Sequence, residues 1–125
     1  MATVGYTSQE DVGSNDGSVL TFSWTPLTST NTDGAPIRST QWADRYFTAT
    51  GTWGGATLSI EGSNDGTNWF TLSNAAGGTA ATFTANGGKS IIEIPQFIRP
   101  NLSTAGTGAS ITVLLTARRV NPMRT

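Results

Sequence analysis

Residues 56–72 constrain this chain more than any other stretch. Ala56, Leu58 and Ile60 alternate with Thr57, Ser59 and Glu61, the period of a strand with one dry and one wet face. Asn64-Asp65-Gly66 follows. These residue types tolerate positive φ and bond their own backbone, so the chain can reverse tightly there. Trp69, Phe70 and Leu72 then open a returning strand. A β-hairpin with aromatic mass directly behind its turn sets an all-β class, with function carried on surfaces and loops.

The rest of the chain repeats that grammar. Leu20, Phe22 and Trp24 share one face of a strand over 19–24, with Val19, Thr21 and Ser23 on the other. The second half of 41–50 reads as a strand, and 80–85 as a weak one centred on Phe83. Residues 89–98 are strongly apolar but carry Pro95, which favours an edge strand or a bulge. Over 109–119, Ile111, Val113, Leu115 and Ala117 line one face. Helical offsets fit that segment too, but its β-branched opening and strand-like neighbours favour a strand. Segments 25–36 and 101–108 read as loops, and 25–36 and 99–108 as contact candidates. Val4 to Thr7 is a short first strand or an extended arm. Roughly seven to nine short strands between turn signals predict a single antiparallel β-sandwich, with a jelly roll as one way to connect it.

With 125 residues the chain has the size of one domain. Residues 1–12 form the arm or short strand, 13–119 the sandwich and 120–125 a C-terminal tail. Gly13 to Ser18 echoes Gly62 to Thr67, which reads as one turn chemistry used twice, since a single short match is far below a repeat architecture.

Charge and composition narrow the function. Charged residues make up 12% of the chain and the net charge is -1, so no general attraction to nucleic acid or to an anionic membrane is expected. Cys and His are absent. That removes Ser-His-Asp and Cys-His nucleophiles, disulfides, thiolates and the commonest transition-metal sites. Glu61 and Glu93 could pair across a sheet as a glycosidase needs, but isolated carboxylates are ordinary on outward strand faces. The Asn-Asp-Gly turns carry too few carboxylates for a tight calcium site. No cofactor is expected. The chain opens with neither a basic stretch nor an apolar run, so no secretory signal is read and synthesis in a cytoplasm is expected.

Phe22, Trp24, Phe47, Phe83 and Phe97 fall on apolar faces and are core candidates. Trp42, Trp53 and Trp69 lie beside turns, where an amphipathic ring can pack over the sandwich end or contact a sugar or protein partner. Arg99, Arg118 and Arg119 fall late in the chain. A strand end and short tail of this kind are usually solvated; the sharper reading is that these arginines make ion pairs across a subunit or partner interface.

The run Glu61-Gly-Ser-Asn-Asp-Gly-Thr-Asn-Trp-Phe-Thr-Leu72 resembles a hairpin of the discoidin-like sandwich. It also resembles a segment of small tailed-phage virion proteins. In the second case the likeness extends over about residues 45–119, through Phe97-Ile98-Arg99-Pro100 and the terminal strand ending in Arg118-Arg119. The absence of cysteines and of a signal peptide favours the phage resemblance. It implies a virion β-sandwich, such as a capsid decoration or cement protein, bound to the major capsid protein or other virion proteins. It also implies a homo-oligomer, with a trimer expected before a dimer, and no catalytic residues. A carbohydrate-binding module, free or mounted on a virion for glycan adhesion, is the alternative; its stacking platforms would be Trp42, Trp53 and Trp69.

Overall fold

β-branched and aromatic residues alternating with polar ones suit a pleated, half-buried surface, and the fold is built from such segments throughout. The computed structural model describes residues 2–10 and 18–119. Ten strands occur among them: β1 (Tyr6–Glu10), β2 (Val19–Thr28), β3 (Ile37–Arg38), β4 (Trp42–Thr52), β5 (Thr57–Ser63), β6 (Phe70–Thr71), β7 (Thr82–Phe83), β8 (Gly87–Ile91), β9 (Phe97–Thr104) and β10 (Ser110–Arg119). They form an all-β sandwich of two antiparallel sheets. The first has the order β1-β2-β10-β4-β8 and the second β3-β9-β5-β6, with β7 also paired to β5. From β2 to β5, and again from β8 to β10, successive strands alternate between the sheets.

β10 is the centre of the first sheet, and Leu115 lies opposite Phe22 of β2 on one side and Phe47 of β4 on the other. Ile111, Val113, Leu115 and Ala117 are all buried, as their shared face required. Facing them from the second sheet are Leu58, Ile60, Ile98 and Leu102. Trp24 and Phe47 stack between the layers with ring centroids 6.4 Å apart. The Trp24 indole N–H donates to the Ala35 carbonyl at 2.9 Å, so the buried ring keeps its polar atom satisfied. The chain passes so close to this ring that a Cβ on Gly34 would lie 2.7 Å from Trp24 Cδ1 and from Pro100 Cγ.

Several segments differ from the sequence expectation. The supposed loop over 25–36 begins as strand, because β2 runs on to Thr28. Leu27 pairs with Ile111 and Trp24 with Val113, so Thr25 and Pro26 together face the single residue Thr112. A bulge is where a strand tolerates a proline, which has no N–H for the ladder. Likewise β9 continues through Pro100 to Thr104, so the first half of the supposed loop over 101–108 is also strand. β5 has no wet face near its centre: Leu58, Ser59 and Ile60 are all buried. It sits inside the second sheet, and the Ser59 and Ser103 hydroxyls bond each other at 2.9 Å. Of the five aromatic core candidates, Phe97 is only half-buried, with the Arg38 guanidinium 5.3 Å from its ring centroid. The first copy of the echoed turn, over 13–17, and the tail over 120–125 lie outside the described residues.

Candidate interaction surface

The six residues singled out from sequence do not form one site, although Arg119 meets Trp42 and Arg99 meets Trp69. Trp42 is 3% exposed, which favours the packed one of its two readings and corrects its place among the partner-contact candidates. Its indole meets Phe22 edge-on at 5.4 Å, and the Arg119 guanidinium lies 4.9 Å from its ring centroid. Trp53 stands at the far end of β4, roughly 35 Å from Trp42 at about 3.3 Å per residue. It is half-buried, and its indole N–H donates to Asn86 Oδ1 at 2.8 Å. Trp69 is covered by Arg99, whose guanidinium lies 4.1 Å from the ring centroid. Three rings so placed make no common stacking platform for a sugar.

The arginines are also used largely within the chain. Arg99 pairs with Glu61 at 3.0 Å and with Asp33 at 3.8 Å. Arg118 meets Asp44 at 3.6 Å, with both side chains about two-thirds exposed (67% and 68%). Exposed pairs of this kind contribute little to stability, so Arg118 keeps a charge that solvent or a partner can reach. The two carboxylates weighed as a catalytic pair have separate occupations. Glu61 accepts from Arg99 and from Asn101 Nδ2, while Glu93 Oε1 accepts the Ser73 N–H at 2.7 Å.

Sequence reasoning missed the most conspicuous surface of the molecule. Ile91 is buried, but Ile92 is 73% exposed and Ile94 68% exposed. Together with Phe70, at 72%, they stand on the connector after β8 and on β6, at one side of the sandwich. Ile94 lines two flanking grooves. One, of about 510 Å³, runs past Asp65, Phe70 and Leu72. The other, of about 450 Å³, runs past Trp42, Tyr46 and Ile92.

This apolar ridge is held in place rather than left loose. Arg45, 3% exposed, donates from Nη1 to the carbonyls of Trp42 at 2.7 Å and Ser39 at 3.4 Å, and from Nη2 to that of Glu93. Burial pulls its pKa below the ordinary guanidinium value, with Glu93 opposing. Its Nε has no hydrogen-bond partner among the described residues. The Ser39 hydroxyl donates to the Pro95 carbonyl, and the Gln96 N–H donates to Asn64 Oδ1 at 3.0 Å. The connector is thus tied at Glu93, Pro95 and Gln96, with the two isoleucines turned outward between fixed points.

The turn that receives Gln96 is itself rigid. Asp65 accepts the backbone N–H groups of Asn68 and Thr67, each at 2.8 Å, the Asn68 side-chain amide at 2.7 Å and the Ser63 hydroxyl at 2.9 Å. Those donors hold its carboxyl well below the usual carboxylate range, the backbone N–H of Asn68 contributing most.

Beyond the ridge lies the outer face of the first sheet. Since Phe22, Trp24, Phe47 and Leu115 point inward, the residues between them face out. One row across the strands reads Gln9, Thr21, Thr116, Tyr46, Ser90, and the next reads Thr7, Ser23, Leu114, Thr48, Gly88. Neither row contains a charge. Hydroxyls bond one another across strands, Thr21 to Thr116 at 2.9 Å and Thr25 to Thr112 at 2.7 Å. The Tyr46 ring lies down over β8, where a Cβ on Gly88 would sit 2.1 Å from the phenolic oxygen. Over these two rows the face is uncharged and rich in hydroxyls; the exposed pair of Arg118 and Asp44 lies one step further along β10, and the face meets the apolar ridge at Tyr46.

No protein-family model matches the chain, and no curated protein sequence does. Among solved structures it is similar to the SPBc2 prophage-derived protein YomS, with a TM-score of 0.59 and 10% sequence identity. The similarity covers 79% of this chain and 93% of that one. At that identity the likeness is one of fold.

Proposed function

We propose that the chain is a bacteriophage structural protein, a decoration protein that adheres to the assembled head shell and stabilises it. One observation carries this reading: the anchored apolar ridge of Ile92, Ile94 and Phe70, continuous with two uncharged rows of the outer sheet face. Exposed apolar patches of that kind mark interaction sites. A hydroxyl pair bonded internally has one donor fewer to desolvate than two free hydroxyls. Such a surface would bridge shell subunits that internal DNA pressure pulls apart. The fold shared with a prophage-derived protein supports the phage setting, and the alternation of strands between sheets supports a jelly roll.

Purified protein is expected to co-sediment with expanded shells that lack it, and a broad glycan panel is expected to leave its tryptophan fluorescence unchanged. Failure to bind shells at micromolar concentration would overturn the decoration role. Saturable binding of a glycan would replace it with the carbohydrate reading.

A further inference from the structure

The edges of the two sheets are not equally guarded. Exposed strand edges invite pairing with another chain, and proteins blunt them with short strands, prolines, lysines, bulges or covering loops. β3 and β6 are two residues long. β8 is capped where the Ala75 N–H donates to the Ser90 carbonyl at 2.8 Å. Among the described residues β1 has no proline, lysine, bulge or covering loop, and its one charge, Glu10, stands at its end. It is five residues of Tyr-Thr-Ser-Gln-Glu, every one exposed, in unbroken register with β2 from Tyr6 opposite Trp24 to Glu10 opposite Leu20. It is the outermost strand, and among the described residues it pairs with no other strand.

That edge is also held ready. Just before β1, the Val4 N–H donates to the Asp33 carbonyl, and the Ala35 N–H donates to the Val4 carbonyl, both at 2.8 Å. The Tyr6 ring meets Phe22 edge-on at 5.6 Å. The strand is therefore fixed at its start and presents its outer N–H and C=O groups as a formed template.

We propose that β1 is a self-pairing edge, through which two copies of this chain join antiparallel about a two-fold axis at Ser8. In that register Tyr6 of one copy opposes Glu10 of the other, Thr7 opposes Gln9, and Ser8 opposes itself. It is the register that pairs the whole strand. It also places the only charge on β1, Glu10, against a tyrosine; centring the axis on Glu10 would set two carboxylates face to face, which is destabilising. An axis perpendicular to the sheet keeps both hydroxyl faces on the same side, so the two first sheets become one continuous surface. The pairing goes beyond the shell-binding reading and stands without it.

The chain contains no cysteine, so single-cysteine variants of the full chain report on this register directly. Opposed residues in an antiparallel pair have Cα atoms about 4.5–5.5 Å apart, inside the roughly 4.4–6.8 Å that a disulfide spans. Ser8→Cys is expected to oxidise to a covalent dimer faster than Thr50→Cys on the outer face, and a mixture of Thr7→Cys with Gln9→Cys is expected to give the mixed dimer. Sedimentation equilibrium of the unmodified protein is expected to show a dimer fraction that rises with concentration. Linking of Ser8→Cys no faster than that of Thr50→Cys would overturn the pairing. So would a strict monomer up to millimolar concentration.

Discussion

Replacing Arg45 with leucine tests whether the buried guanidinium holds the ridge. Leucine fills much of the same space but donates nothing to the carbonyls of Trp42 and Glu93, which take the two main hydrogen bonds of Arg45. A buried acceptor left without its donor costs about 1–3 kcal/mol, so two of them cost about 2–6 kcal/mol. Against this, Arg45→Leu removes a buried charge and the unpartnered Nε, relief that is worth roughly 1–3 kcal/mol for the orphan donor alone. The net expectation is a destabilisation of about 1–3 kcal/mol, read as a lower urea midpoint at unchanged m-value. In a thermal melt this corresponds to a fall of roughly 4 °C for each kcal/mol. The loss should be concentrated at the connector, so amide exchange at Ile92, Glu93 and Ile94 should quicken more than exchange in β10. Arg45→Lys, which can still donate to these carbonyls, should lose less than Arg45→Leu. If Arg45→Leu proves as stable as the parent, with exchange at the connector unchanged, the carbonyls are not what Arg45 supports and the anchoring account is wrong.

Ile92→Ser with Ile94→Ser should leave stability within about 0.5 kcal/mol, since both side chains are mostly in water. Shell binding should nevertheless weaken by roughly 30-fold or more, because about 2 kcal/mol of apolar burial is lost; co-sedimentation unchanged from the parent would remove the ridge from the interface. Gly34→Ala should cost about 1–3 kcal/mol by overpacking against Trp24 and Pro100, and a denaturant midpoint equal to the parent's would show that those neighbours can yield. Asp65 titrates below its unfolded value, so the unfolded chain takes up the proton first as pH falls. Its contribution should be present above pH ~4, the unfolded carboxyl value, and fade as pH drops toward the folded one. Asp65→Asn should flatten that acid-side decline, and two superimposable stability–pH curves would refute the role of the turn carboxylate.

Strands were legible wherever period-two patterning ran unbroken. Ile111 to Ala117 and Leu20 to Trp24 needed no tertiary knowledge. Legibility failed where punctuation residues were tolerated by context. Pro26 sits at a bulge and Pro100 inside a paired strand, so both strands run past the expected stops. The ridge was misread for a different reason. An Ile-Ile-Glu-Ile run carries no sign of which isoleucines face inward, and burial stops where β8 stops, after Ile91. Arg45 did leave a sign, since it is two residues from Phe47 and four from Ala49, in phase with the inward face. A charged residue in that phase was passed over because its partners are backbone carbonyls, which carry no sequence signature. Trp42 was assigned by its nearness to a turn, yet it begins β4 and points inward against Phe22.

The weaving of the chain between the two sheets has a mechanical consequence. Because β2 through β5 and β8 through β10 cross over at every step, neither leaf can peel away without dragging its opposite with it. Most neighbours are therefore distant along the chain; topologies of this kind typically fold in milliseconds to seconds, and domains of this size typically open in one cooperative step. In the proposed shell-binding role, a body built this way would not loosen by degrees. It would stay whole under load until the entire body gave way at once.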